Sequence, residues 1–132
     1  MNVRIVTGFV AGCVIWWFLF LAAGIGFGLL WPAYREAAHV LFSAGDSSYF
    51  TTPIYFLNFL VFSIAGIVVG WLVSLFSKNR MTALVVALLY LFFMSFNHYY
   101  LEWDNFPAWY NVIVPFIISG SIALGSRFSR AV

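Results

Sequence analysis

Long apolar runs separated by short polar segments dominate the chain. Four such runs cover residues 6–31, 54–76, 81–100 and 108–126. A helix needs about 20 predominantly apolar residues to cross the hydrocarbon core of a bilayer, so each run is long enough to span it. The pattern predicts an all-α integral membrane protein in which residues 1–132 form a single domain of four transmembrane helices.

The polar segments between the runs predict two loops on one side of the membrane and a tight turn on the other. In the first loop, residues 32–53, apolar side chains recur at helical spacing from Tyr34 to Phe42, while Arg35 and Glu36 fall on other faces. This periodicity indicates a short amphipathic helix lying at the membrane interface. Residues 101–107 form the second loop on the same side.

The distribution of basic residues predicts the orientation. One side of the predicted bundle carries five of the six basic residues: Arg4, Lys78, Arg80, Arg127 and Arg130. Lys and Arg are enriched in the short cytoplasmic segments of membrane proteins, so this side is predicted to be cytoplasmic. Both termini then lie in the cytoplasm, and the expected location is the cell inner (plasma) membrane, with an organelle membrane as the alternative.

Composition agrees with this interpretation and excludes other classes. The chain is 64% hydrophobic and only 8% charged, whereas a soluble domain has about 25% charged residues. Its net charge of +2 comes from residues at helix ends, so it does not indicate nucleic-acid binding. Residues 10–13 resemble a bacterial lipoprotein cleavage box, but the chain stays apolar after Cys13, which favours a helix-packing role for this cysteine.

Four polar residues form a layer near the outer ends of their spans. They are Asn58, Asn97, His98 and Asn111, and Pro115 adds the backbone carbonyl that it leaves without an amide partner. Such groups could line a shallow polar cavity that opens outward. The alternative is that each asparagine only hydrogen-bonds a neighbouring helix, which is the more common arrangement in membrane proteins.

Glycines within the apolar runs predict close helix packing. Small residues four positions apart let a neighbouring backbone approach where lipid offers no hydrophobic drive for association. Three pairs have this spacing: Gly8 and Gly12, Gly24 and Gly28, and Gly66 and Gly70.

Few residues of the sequence could bind a metal ion or a coloured cofactor. His98 and Glu102 are four residues apart, and His39 lies in the other outer loop, but two ligands on one helix do not make a metal site. The two histidines could also ligate a haem or pigment. The sequence requires no cofactor, although a bound lipid, quinone or pigment could pack against the many aromatic side chains of the predicted spans.

The absence of ionisable side chains near the centre of each predicted span argues against an ion-coupled transporter. A single cysteine cannot serve as a dithiol oxidoreductase, and no serine nucleophile motif is present. The sequence therefore favours a non-catalytic protein.

Three hypotheses about function remain open. The first is an accessory or assembly subunit that packs against larger partners in a respiratory, photosynthetic or secretion complex, in contact with the lipid bilayer and other membrane subunits. The second is a homo-oligomeric passive channel, or a protein that handles lipid or quinone, using the outer polar layer. The third is a haem, pigment or metal site at the outer face.

Overall fold

The structure, a computed structural model, describes residues 3–129 and contains no strand within them. Five α-helices follow in chain order: α1 Val3–Leu30, α2 Pro32–Ala44, α3 Thr52–Ser77, α4 Arg80–Phe96 and α5 Ala108–Gly125. A π-helical turn, Asn97–Leu101, extends α4. Of the five, α1, α3, α5 and the extended α4 are long and apolar enough to cross a membrane, which confirms the prediction of an all-helical chain with four helices able to span. Arg130, which was used to predict orientation, lies outside the described residues.

The helices begin and end where local chemistry requires. Trp31 is extended, and Pro32 opens α2 at a position where its missing N–H is not needed. Between α3 and α4, Lys78 adopts a left-handed conformation, and the Asn79 side chain accepts a hydrogen bond from the Met81 amide at 2.9 Å. This cap makes the connection between the two helices a tight turn.

The four long helices form a bundle in which α3 and α4 are central. The buried core lies mainly between α3, α4 and α5, where Val69, Val86 and Ile122 are fully enclosed. Helix α1 packs against α3 and α4 from the side, and only Gly12 and Trp16 are buried along its 28 residues. We call the end of the bundle that carries α2 and residues 102–107 the α2 end, and the opposite end the turn end.

Glycines make the contact between α3 and α5 unusually close. A Cβ atom added to Gly70 would lie 1.9 Å from the carbonyl oxygen of Ile122, and one added to Gly125 would lie 2.1 Å from that of Ile67. At Gly66 the added atom would lie 2.7 Å from a Ser121 side-chain carbon. The two parallel helices therefore touch backbone to backbone, an approach that only glycine permits.

The remaining predicted glycine pairs have looser surroundings. Cβ atoms added to Gly8 and Gly12 would lie 3.2 and 3.1 Å from valine methyl groups of α3. At Gly24 an added Cβ would meet no atom of the described residues within 4 Å, and at Gly28 it would meet only the Arg35 side chain, at 3.8 Å. The first pair therefore lies at a helix contact, whereas the second leaves a bare stretch of α1 near the α2 end.

Candidate functional site

The predicted polar residues lie together at the α2 end. Asn58 on α3, His98 on the π-helical turn and Asn111 on α5 are all buried, and Asn97 is half-buried. Three of them, Asn58, Asn97 and His98, line one cavity of about 380 Å³. Asn111 lies behind this cavity and contacts it through His98.

Asn111 connects His98 to the loop between α4 and α5. Its side-chain amide donates hydrogen bonds from Nδ2 to the backbone carbonyls of Trp103 and Phe106, each at 3.1 Å. Its Oδ1 lies 2.9 Å from Nδ1 of His98. Because Asn111 is fully buried and its amide has all of these partners, the side chain can hold both the loop and the imidazole in place.

This network fixes the proton on His98. Since Nδ2 of Asn111 donates to two carbonyls, its Oδ1 is the acceptor, and Nδ1 of His98 must carry the hydrogen. In a neutral imidazole the other nitrogen, Nε2, is then an acceptor with a free lone pair. His98 therefore brings to the cavity a ring whose available nitrogen can accept a hydrogen bond.

His98 lies within the π-helical turn that extends α4. The Glu102 amide donates to the Asn97 carbonyl at 3.1 Å, five residues back, instead of four. Such a turn admits one extra residue and rotates the side chains that follow relative to a continuous α-helix, and π-turns are frequent at functional sites. No residue pattern in 97–101 distinguishes this turn from α-helix, so the sequence does not predict it.

Two tyrosines complete the polar side of the cavity. The Tyr34 hydroxyl, on α2, donates a long hydrogen bond of 3.5 Å to Oδ1 of Asn58, and Tyr110 lines the same cavity. Burial raises the pKa of the Tyr34 hydroxyl, so it stays protonated at neutral pH and remains a donor. The sequence pattern identified Tyr34 only as part of the apolar stripe of the predicted amphipathic helix.

Aromatic rings form most of the other walls of the cavity. Trp16 stacks on Phe20 and on Phe62, with both pairs of ring centroids 5.5 Å apart. The indole N–H of Trp16 is buried without a hydrogen-bond partner among the described residues. Among the described residues that line the cavity none is Lys or Arg, and Glu102 is the one acidic side chain.

A second, more apolar groove of about 290 Å³ adjoins this cavity between α1 and α2. Gly24 and Gly28 lie along it, and Arg35 is its charged residue. Four residues border both spaces: Phe20, Tyr34, Ala38 and Phe42. The cavity and the groove are therefore neighbouring parts of one surface.

The three metal candidates do not form one cluster, since His98 and Glu102 line the same cavity but His39 does not. His39 is exposed on α2, Glu102 accepts a hydrogen bond from Nδ2 of Asn105 at 2.8 Å, and His98 is bonded to Asn111. Within residues 3–129 there is no cluster of three His, Cys, Asp or Glu side chains that could hold a metal ion.

Comparison of the chain with protein-family models, with curated proteins and with solved structures gave no match.

Proposed function

We propose that this protein binds one neutral, ring-bearing lipid of the quinone or quinol class in the cavity at the α2 end. The observation that carries the proposal is the pairing of His98 with Asn111 beside a cavity walled by aromatic rings, because this pairing leaves Nε2 of His98 as a hydrogen-bond acceptor. The volume of about 380 Å³ falls within the range of about 300–1,000 Å³ that small-molecule sites occupy.

The lining favours a flat and uncharged ligand. A planar ring can stack against Trp16, Phe62 or Phe106, since aromatic pairs gain energy beyond their buried area. An anionic head group would find no Lys or Arg among the described lining residues and would be repelled by Glu102. A haem would bring anionic propionates to the same surface, which makes it the weaker alternative.

The polar side chains match the oxygen atoms of such a ring in both redox states. The hydroxyl of a quinol can donate to Nε2 of His98, and the carbonyl of a quinone can accept from the side-chain amide of Asn97. The proposal concerns binding of the ligand and includes no reaction of it.

We also propose that the turn end faces the cytoplasm, with α2 on the outer surface. Arg4, Lys78, Arg80 and Arg127 belong to that end, and the positive-inside rule supports this orientation. Helix α2 exposes Arg35, Glu36 and His39, which suits a helix at a membrane interface. The ring of the ligand would then lie near the outer head-group region of a cell inner membrane.

The accessory-subunit role expected from the sequence is a second candidate, favoured by the peripheral position of α1. Along this helix Val10, Phe18, Ile25 and Leu29 are exposed on the surface of the bundle. Lipid or a larger membrane subunit can cover that surface, and the two roles are compatible if the partner exchanges the ligand.

A binding titration tests the ligand proposal. The protein in mild detergent is titrated with a decyl-substituted benzoquinone, and quenching of tryptophan fluorescence is followed, because Trp16 and Trp17 line the cavity. We expect saturable quenching, and an absorbance spectrum of the same sample with a Soret band would instead indicate haem.

The variant Asn97→Leu removes one polar partner and fills part of the cavity, so it should weaken binding at least about tenfold, a change of about 1.4 kcal/mol. Ser95→Leu is the matched control, because Ser95 lies two residues away on α4 and does not line the cavity. Equal affinity in the two variants would contradict the proposed site.

A further inference from the structure

We infer that the groove between α1 and α2 holds the apolar chain of the lipid whose ring occupies the cavity. The ligand class then narrows to quinone-type lipids with a long prenyl or alkyl chain, loaded from within the membrane. This inference rests on the proposed function and adds the path that the apolar chain of the lipid takes along the protein.

Missing side chains on α1 create the floor of the groove. An added Cβ at Gly24 would meet no described atom within 4 Å, and one at Gly28 would meet only Cβ and Cγ of Arg35, at 3.8 and 4.0 Å. The space above these glycines is therefore not filled by any other part of residues 3–129. Apolar side chains flank it on both helices: Leu21, Ile25 and Leu29 on α1, and Ala38 and Phe42 on α2.

The groove continues directly into the cavity. Phe20 and Tyr34 border both spaces, as do Ala38 and Phe42 from α2, so a chain leaving the cavity between α1 and α2 enters the groove. Trp16, only 4% exposed and with an unpartnered indole N–H, lines the cavity end of this path.

Polarity divides the two spaces in the way an amphipathic ligand requires. Amide side chains and the imidazole line the cavity, among them Asn58, Asn97 and His98, whereas the groove has no amide or imidazole among its described lining residues. Arg35 adds its aliphatic stem to the wall of the groove, and long basic side chains commonly keep their charged ends in water while the stem packs on apolar surface.

Two probes that have the same ring but differ in their apolar chain distinguish binding of the lipid chain from binding of the ring. One is a dimethoxy-benzoquinone whose other substituents are methyl groups, which we call the methyl probe. The other has the same ring with a decyl chain and is the decyl probe. Both are compared at equal mole fraction in the same micelles. We expect the decyl probe to bind the wild-type protein more tightly. Each methylene excluded from an apolar site weakens binding roughly fourfold, so blocking the groove should be measurable.

The variant Gly28→Leu places a branched side chain in the groove and should weaken binding of the decyl probe at least about tenfold, the effect of two or more displaced methylenes. Binding of the methyl probe should be unchanged. Gly26→Leu is the matched control, because Gly26 lies on the same helix, meets no described atom within 4 Å and does not line the groove. It should leave both affinities unchanged.

The possible failures can be told apart. If neither probe binds the wild-type protein, the proposed function fails. If the methyl probe binds and the decyl probe is no tighter, or is insensitive to Gly28→Leu, the ring site stands and the chain path is overturned. If Gly28→Leu binds neither probe, the wild-type protein is labelled instead with a decyl probe whose chain ends in a photoreactive diazirine, and the labelled residues are identified. Label on residues 20–29 or on α2 supports the path, and label elsewhere overturns it.

Discussion

The contact between α3 and α5 makes a sharp prediction for the variant Gly70→Ala. The added Cβ would lie 1.9 Å from the Ile122 carbonyl oxygen and 2.8 Å from its carbon, whereas ordinary contact begins at 3.4 Å. Because both obstacles are backbone atoms of a helix, no side-chain rotation can relieve the clash. The two helices must move apart by about 1.5 Å at this point.

The cost of that movement can be estimated. Overpacking a tightly packed site costs typically 1–3 kcal/mol, and a gap of 0.5–1 Å already forfeits a quarter to a half of the dispersion energy of the atoms concerned. Alanine returns up to about 1 kcal/mol through its better helix propensity. We expect Gly70→Ala to lower the free energy of unfolding by about 2 kcal/mol, which is the upper end of the overpacking range less the gain in helix propensity, because the partner is rigid backbone.

Gly120→Ala provides the control on α5, because an added Cβ there meets no described atom within 4 Å. This variant should change stability by less than about 1 kcal/mol, in the stabilising direction. Both proteins are unfolded by SDS from mixed micelles and followed by circular dichroism. If Gly70→Ala and Gly120→Ala unfold within 0.5 kcal/mol of each other, about the range of a neutral surface substitution, the backbone contact is refuted.

Two further predictions concern the α2 end. Asn111→Leu removes the partner of the His98 Nδ1–H and of two loop carbonyls, and an unsatisfied buried polar group costs about 1–3 kcal/mol. We expect a loss of about 3 kcal/mol in the same unfolding assay, and a loss below 0.5 kcal/mol would contradict the network. Hydrogen bonds from the Ser48 amide and hydroxyl, both at 2.8 Å, hold the pKa of Asp46 below its usual value. A lowered pKa means that the ionised carboxylate stabilises this turn above the ordinary pKa of about 3.9, and that the effect is lost as pH falls through the lowered pKa. An NMR titration of the Asp46 carboxyl checks this, and Ser48→Ala should return its pKa towards the ordinary value; an unchanged pKa would contradict the contact.

The apolar runs were sufficient to predict the four spanning helices. Each run must be helical to satisfy its backbone in lipid, so length and composition alone determine the element. The basic turn around Lys78 likewise marked the boundary between α3 and α4. In contrast, the pairing of Gly70 with Ile122 was not predictable, because small-residue spacing marks a close contact without identifying the partner helix.

The candidate site was predictable in depth but not in connectivity. The positions of Asn58, His98 and Asn111 near the same ends of their helices place them at one level in any four-helix bundle. Which atoms bond depends on the loop after His98, whose carbonyls orient Asn111, and on a π-helical turn without a sequence signal. The position of Tyr34 over the cavity also depends on tertiary structure, since the apolar side of α2 that carries Tyr34 could equally face lipid.

The most direct test of the account is to quantify the quinone-class lipid that stays with the protein when it is extracted gently from its native membrane and purified. Mass spectrometry of the lipid extract gives the amount per chain for the wild-type protein and for the variants Asn97→Leu and Ser95→Leu. We expect a near-stoichiometric quinone-class lipid in the wild-type protein and in Ser95→Leu, and a loss to background in Asn97→Leu. A wild-type protein with no quinone-class lipid above background, or retention that is unchanged in Asn97→Leu, would contradict it.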